Sequence, residues 1–346
     1  ILAKAIEQER IPNGYLFIGP EGTGKEALAI DFAKAMFCTA MFQKPCNTCS
    51  GCRRVKEFNH PDFIYILPKP KTAKTDDVRK IFDSLVAEPY ARKILWASPT
   101  IGIDEIRELR KTVSIKPTER KRIIAIAEAD KLTQEAANSL LKLLEEPPES
   151  THFVLTTARP NTLLPTIISR CQEVKFGLLT DSQVESALLK RSEISPEKAR
   201  LVSRISQGSF KRALEWTDHD LEQKRSVAID LVRISLRDNR TKFQLIEKVL
   251  DEYDKKSVKD MFNLMLIWFR DSLILSNNST DEVDKIVNID QLETLEKFTN
   301  AFNQINYGEA FEEIEKAIEL IDRNVQLQLI MIVLFNRIHK ILSSKG

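Results

Sequence analysis

Apolar positions follow two regimes along the chain. Up to about residue 176, short continuous apolar runs alternate with stretches of helical period. Tyr15–Ile18, Phe63–Leu67, Ile123–Ala127, His152–Thr156 and Glu173–Phe176 read as strands. Between them, residues 28, 29, 32, 33 and 36 mark a helix over Glu26–Phe37, and a second runs from Gln134 to Glu146, where Pro147-Pro148 stops it. Strands alternating with helices predict a parallel sheet covered on both faces.

After Phe176 the strand signal ends. Asp181–Lys190, Pro196–Ile205 and Ser209–Trp216 predict a small helical module, and from Leu221 onward the period is helical throughout. Met261–Leu275 is apolar nearly all round, which predicts a buried helix. The expected division is therefore an α/β domain over 1–177, a helical lid over 178–220 and an all-α domain over 221–346. Residues 69–99, with Pro- and Lys-rich ends and a helical stretch at Val78–Ala87, read as a surface insertion without an assigned role. No internal repeat is present in the sequence.

The 346 residues suffice for two or three domains. With 42% hydrophobic and 29% charged residues and only 10 glycines, the composition is that of a folded globular chain. A net charge of +2 excludes a strongly basic surface, so any nucleic-acid contact must come from a local patch or an assembly. The apolar stretch Leu329–Phe335 is far too short to span a membrane. Ile1–Arg10 carries no apolar signal core, and a cytoplasmic location is expected.

Four of the five cysteines, Cys38, Cys46, Cys49 and Cys52, lie within fifteen residues, in the spacing C-x7-C-x2-C-x2-C. In a cytosolic chain this favours a metal over disulfides. Four thiolates with C-x2-C bites suit a closed, structural zinc site, with the module spanning 38–52. Cys171 stands apart and reads as a small buried residue.

Gly19-Pro-Glu-Gly22-Thr-Gly24-Lys25-Glu26 follows a strand and opens a helix, the setting of a phosphate-binding P-loop. Backbone N–H groups and a helix N-terminus cradle phosphates there, and the Lys reaches the terminal ones. The position after Lys25 calls for Ser or Thr, whose hydroxyl ligates magnesium. It is Glu26, whose carboxylate either takes the metal itself or repels phosphate. A hydrolysing site further needs Asp-Glu at the end of the 123–127 strand. Ala127 stands at the Asp position and Glu128 at the Glu position, with Asp130 beyond the strand and out of register. Two altered magnesium positions in one shell predict that hydrolysis is lost. ATP or ADP binding stays open, as does a glycine turn kept for its backbone shape.

Thr156-Thr157 ends a strand as a polar sensor of a γ-phosphate would. Ser169-Arg170-Cys171 precedes the last strand, where Arg170 has the place of an arginine that completes a neighbouring subunit's site. Gly208-Ser-Phe-Lys211-Arg212 opens a helix in the lid. Lys211, with Arg212 as the alternative, fits a nucleotide-sensing position.

Taken together, Ala136-Ala-Asn-Ser-Leu-Leu-Lys-Leu-Leu-Glu-Glu-Pro-Pro148, the cysteine insertion after the P-loop helix, His60-Pro-Asp62 and Ser169-Arg-Cys171 resemble the bacterial clamp-loader family of AAA+ proteins. The likeness spans residues 14–176 and continues through 208–214. Within that family, altered magnesium positions with a retained Arg170 resemble the delta-prime branch, while an intact ATPase site marks the tau/gamma branch. The resemblance implies a heteropentameric ring with tau/gamma and delta subunits, part of the DNA polymerase III holoenzyme. Arg170 would act in trans on ATP held by a neighbour while the sliding clamp is placed on primer–template DNA. The C-terminal helices would form the ring's collar. The alternative is an active tau/gamma-like ATPase in which Glu26 ligates the metal.

Overall fold

In the computed structural model the described residues are 2–90, 92, 95, 96, 98–191, 193–217, 221–277, 286–302 and 305–343. Parts of the expected insertion (91, 93, 94 and 97), the expected boundary residues 218–220 and the C-terminal 344–346 lie outside them. The chain forms two compact units. One comprises Ile1–Val184 with Gln207–Glu215, the other Glu185–Ser206 with Trp216–Gly346.

The first unit is built on a five-stranded parallel sheet. Its strands are β1 (Gly14–Ile18), β2 (Phe63–Ile66), β3 (Arg122–Ile126), β4 (Thr151–Thr157) and β5 (Gln172–Lys175), in the order β2-β3-β4-β1-β5. Every strand expected from the apolar runs is present, with ends within a residue. All five residues of β3 are buried, as a central strand covered on both faces requires. One face packs Leu16, Ile124, Ile126, Phe153 and Leu155 against α5 (Ile103–Val113) and α6 (Gln134–Glu145). The other packs Tyr15, Phe17, Ile123, Ala125 and Val154 against α2 (Lys25–Phe37). The period-2 alternation thus assigns each side chain to one of two cores. Helix α6 starts at Thr133, whose hydroxyl accepts from the Ala136 N–H at 3.3 Å, and it ends before the two prolines.

His60-Pro61-Asp62 is a brace at the edge of the sheet. The fully buried Asp62 carboxylate pairs with Arg122 at 3.3 Å and accepts the Glu119 N–H at 2.8 Å. Arg122 also donates to the carbonyls of Thr112 and Ile115, both at 2.9 Å. A buried charge that is paired and hydrogen-bonded in this way escapes most of its desolvation cost.

The segment 69–99 leaves and rejoins the domain at one neck, where the Lys69 N–H donates to the Thr100 carbonyl at 2.9 Å. Its helix α4 (Thr75–Ala87) begins three residues before the expected helical stretch. It is amphipathic and seats Ile81 and Leu85 beside Leu67, Phe58 and Tyr65. The insertion therefore adds a small core of its own to the β2 edge.

The second unit is helical: α9 (Pro196–Ile205), α11 (Leu221–Ile234), α12 (Asn239–Glu252), α13 (Lys255–Ser276), α14 (Leu292–Ala301), α15 (Tyr307–Asp322) and α16 (Leu327–Ser343). Helix α13 contains the expected Met261–Leu275 stretch and buries Met261, Phe262, Met265 and Phe269 completely. The buried Asp271 carboxylate accepts the backbone N–H groups of Val287 and Asn288 at 3.1 and 2.9 Å, which fixes the return of the chain after α13. Among the described residues, no helix is long and apolar enough to cross a membrane.

The half-buried His152 on β4 holds its Nδ1 3.0 Å from the Pro12 carbonyl, which can only accept, so this nitrogen carries the proton. Burial lowers its pKa, the Pro12 contact opposes that, and Lys121 adds to it. A histidine pKa lowered in the folded state means that the unfolded chain binds the proton more readily. Stability is then lost as pH falls below the unfolded value of about 6.5. Unfolding midpoints measured across pH 7 to 5 should decline, and His152→Gln should flatten that decline.

Candidate functional site

Strand β1 ends at Ile18, and the loop 19–24 carries the chain from the sheet into α2. Gly22 and Gly24 have φ of +79° and +87°, the left-handed region that glycine enters without cost. A side chain at Gly24 would meet the Tyr90 ring at 3.0 Å, so close approach also demands glycine there. Residues 207–215 bear on the loop as well. The Phe210 N–H donates to the Gly22 carbonyl at 2.9 Å, and α10 (Phe210–Trp216) begins at that point.

The expected site residues converge. Gly22, Gly24, Lys25, Glu26, Glu128, Thr157 and Lys211 line one cavity of about 150 Å³, with Glu21, Asp130, Thr156 and Arg159. Gly19 shapes the loop behind it, its N–H donating to the Thr157 carbonyl at 3.2 Å. Lys25 is buried and its ammonium is turned onto its own loop, donating to the carbonyls of Gly19 and Pro20 at 2.7 and 2.6 Å. Burial lowers its pKa against the opposing pull of Glu26, Glu21 and Asp130. Lys211 pairs with Glu21 at 2.6 Å. Burial pushes the Glu21 carboxyl up, but Lys211, Arg212 and Lys25 together outweigh it and hold the group below its ordinary range.

Ala127 is buried at the end of β3, so no carboxylate stands at that position. Glu128 follows with φ +47°, its N–H donating to Thr156 Oγ1 at 3.1 Å. Asp130 does reach the site, contrary to its expected register. A 3-10 turn over Ala129–Lys131 folds it back, and its carboxylate accepts from Thr157 Oγ1 at 2.8 Å.

Besides Arg159, the sequence does not single out Tyr65, Tyr90 and Arg92, which also belong to the site. Tyr65 on β2 donates to Glu26 Oε2 at 2.9 Å. Burial, then the Glu26 charge, raise its pKa well above the ordinary tyrosine value. Tyr90 packs on Gly24 and meets the Phe210 ring edge-on, centroids 5.2 Å apart. Arg92 pairs with both Glu26, at 3.5 Å, and Glu128. Tyr90 and Arg92 come from the insertion, and nothing in their local sequence marks them as partners of a loop more than sixty residues earlier.

Arg170 lies outside this cavity, half-exposed, on α7 (Pro165–Ile168) and the turn that follows. Its guanidinium pairs with Glu145 at 2.7 Å and donates to the Thr166 carbonyl at 3.0 Å. The neighbouring Cys171 packs beneath Gly14, where a side chain would meet its sulfur at 2.9 Å, and burial pushes its thiol up to about 11.

The four clustered cysteines bring their sulfurs within 4.8 Å of one another. Cys46–Cys52 and Cys38–Cys49 are each 4.0 Å apart. Zinc–sulfur bonds of about 2.3 Å in a tetrahedron require about 3.8 Å between sulfurs, so the set fits such a metal closely. Backbone N–H groups of Cys46, Cys49 and Cys52 point at the sulfurs of Cys38, Cys46 and Cys49, at 3.3 to 3.5 Å, which favours thiolates. The Thr48 hydroxyl, with the Thr48 and Cys49 backbone, pulls the Cys46 thiol down to about 5. Burial pushes Cys52 up to about 12. A metal beside Cys52 would favour its thiolate.

A parallel sheet in this order, a P-loop between β1 and α2, and a helical element seated on that loop define a P-loop domain of the AAA+ class. Residues 1–180 match the family described as DNA polymerase III, delta subunit, and the chain belongs to that family of clamp-loader subunits. It is similar to the DNA polymerase III subunit delta' of Bacillus subtilis (strain 168), at 28% identity over 96% of this chain and 92% of that protein. The gamma/tau subunit of Mycoplasma genitalium is 28% identical over 99% of this chain, which spans 55% of that longer relative. The Escherichia coli (strain K12) tau subunit is 32% identical over 63% of this chain and 30% of its own length.

A metal held by the cysteines would close the loop between α2 and α3 (Ser50–Lys56). Metal analysis of the purified chain should find a single tightly held zinc ion. Its removal with a chelator, or Cys49→Ser, should lower the thermal midpoint, because binding energy of this kind is folding energy.

Proposed function

We propose that this chain is a non-hydrolysing member of the DNA polymerase III clamp-loader ring. In this reading it is the counterpart of the delta-prime subunit and supplies Arg170 to ATP bound by an adjacent tau/gamma subunit. The observation that carries this reading is the state of the chain's own phosphate site. A hydrolysing site needs a hydroxyl after the P-loop lysine and a carboxylate at the end of β3, both directed at magnesium. Here the first position holds Glu26, engaged by Arg92 and by the Tyr65 hydroxyl, and the second holds the buried Ala127. Arg170, in contrast, stands half-exposed outside that cavity, where a second subunit could use it.

Each further assignment follows from this one. The cysteine set at 38, 46, 49 and 52 holds a structural zinc. Gly19, Gly22, Gly24, Lys25, Glu26, Glu128, Thr157 and Lys211 are a degenerate nucleotide site. Residues 1–177 serve as the AAA+ body, 178–220 as the lid and 221–346 as the collar that joins tau/gamma and delta subunits. The sliding clamp and primer–template DNA are engaged through the assembly, in the cytoplasm.

The test is ATP turnover by the complete loader, stimulated by clamp and DNA, with wild-type chain and with Arg170→Ala. An arginine acting in trans is worth about 10³ to 10⁵ in rate, so turnover at the adjoining site should collapse while the complex still assembles. Unchanged turnover in an intact complex removes the role. Turnover by the isolated chain, abolished by Lys25→Ala, would establish the active tau/gamma-like alternative instead.

A further inference from the structure

We propose that Arg92 is a resident cation of the phosphate site, standing where a hydrolysing P-loop protein places its divalent metal. Two carboxylates of this chain border the former metal position: Glu26, at the place of the metal-binding hydroxyl, and Glu128, which directly follows Ala127 at the end of β3. One guanidinium engages both. Nη1 lies 3.5 Å from Glu26 Oε2, and Nη2 pairs with Glu128 Oε1. Tyr65 completes the shell by donating to the same Glu26 oxygen at 2.9 Å. Two carboxylates that share one guanidinium repel each other, and a positive charge between them offsets that repulsion. A planar guanidinium with two outward edges can serve two carboxylates at once, whereas an ammonium is a single point.

The placement of Arg92 is built rather than incidental. The insertion is closed at its neck by Lys69 and Thr100, and α4 is anchored by Ile81 and Leu85 against the β2 edge. Five residues after α4 comes Arg92, only 13% exposed, and just before it Tyr90 fills the space over Gly24. Tyr90 also meets Phe210 of the element that docks on the loop. The lysine that would reach for phosphate is meanwhile bonded to its own loop carbonyls. The P-loop, the end of β3, the insertion and residues 207–215 are thus tied together by the chain's own side chains. The insertion, which had no assigned role, thereby contributes side chains to the phosphate loop.

This inference rests on the reading of the loop as a former nucleotide site and makes a prediction separate from ring turnover. Removing Arg92 leaves Glu26 and Glu128 without their shared cation, two hard oxygen ligands suited to Mn²⁺ or Mg²⁺. Mn²⁺ binding followed by electron paramagnetic resonance on the zinc-loaded chain should be weak for wild type. It should tighten at least about tenfold in Arg92→Ala, the gain expected of two uncompensated carboxylates on a hard cation. Glu128→Gln added to Arg92→Ala should abolish the gain. The thermal midpoint of Arg92→Ala should also rise with added Mn²⁺, while that of wild type stays constant. Arg92→Gln, closer in shape, gives the same comparison if the alanine variant does not fold.

A folded Arg92 variant with no gain in Mn²⁺ binding overturns the proposal. So does a wild-type chain that already binds Mn²⁺ through Glu26 and Glu128. Either result leaves the non-hydrolysing reading intact so long as the isolated chain shows no turnover. Turnover dependent on Lys25 would instead overturn both.

Discussion

The burial of β1 is the constraint on which the rest of the first unit depends. Tyr15, Leu16 and Phe17 are wholly inaccessible, and the strand is hydrogen-bonded on one side to β4 and on the other to β5. It cannot shift without breaking two ladders and two cores. The loop that follows is therefore presented at a fixed point beside the ends of β3 and β4. There Glu128, Asp130, Thr156 and Thr157 are also placed, because parallel strands all end on the same side of a sheet. A phosphate site is the natural use of such a place, and this chain retains its backbone while altering its charges.

Electrostatics decide what the retained backbone can still do. A working site leaves its cations unsatisfied until phosphate arrives. Here Lys25 is bonded to loop carbonyls, Lys211 is bound to Glu21, and Arg92 is shared by Glu26 and Glu128. A nucleotide would have to displace partners already in place: loop carbonyls at Lys25, and carboxylates at Lys211 and Arg92. Arg170 differs in kind. Its partner Glu145 is itself half-exposed, and a surface pair of that sort contributes little and is readily exchanged for another anion. Arg170 thus lies apart from the cavity, in a pair that is readily exchanged.

The cysteine cluster and the His60–Asp62 brace support this arrangement at a distance. The cysteines pin the chain between α2 and α3, and His60 stacks on Phe37 at the end of α2, with ring centroids 3.9 Å apart. Asp62 then ties the start of β2 to Arg122 at the start of β3. The result is that α2, whose first turn is the P-loop helix, is held at both ends.

The strands, their parallel arrangement, the P-loop, the cysteine ligands and the family were all legible from the sequence, because each is carried by local pattern. Short apolar runs between turn signals favour strands, a glycine loop after a strand takes few shapes, and C-x2-C spacing sets a ligand bite. Glu26 and Ala127 were equally visible as departures, since the residues expected there are dictated by magnesium. What occupies their surroundings was not visible. Arg92 sits in a segment that looks like a polar surface excursion, and its partners are 66 and 36 residues away. Asp130 appeared out of register until a 3-10 turn brought it back to Thr157. Local sequence determines which elements form and which chemistry they carry. Which charges meet was decided by tertiary structure alone, because ion pairs between distant segments depend on how an insertion folds back, and one-dimensional spacing holds no record of that path.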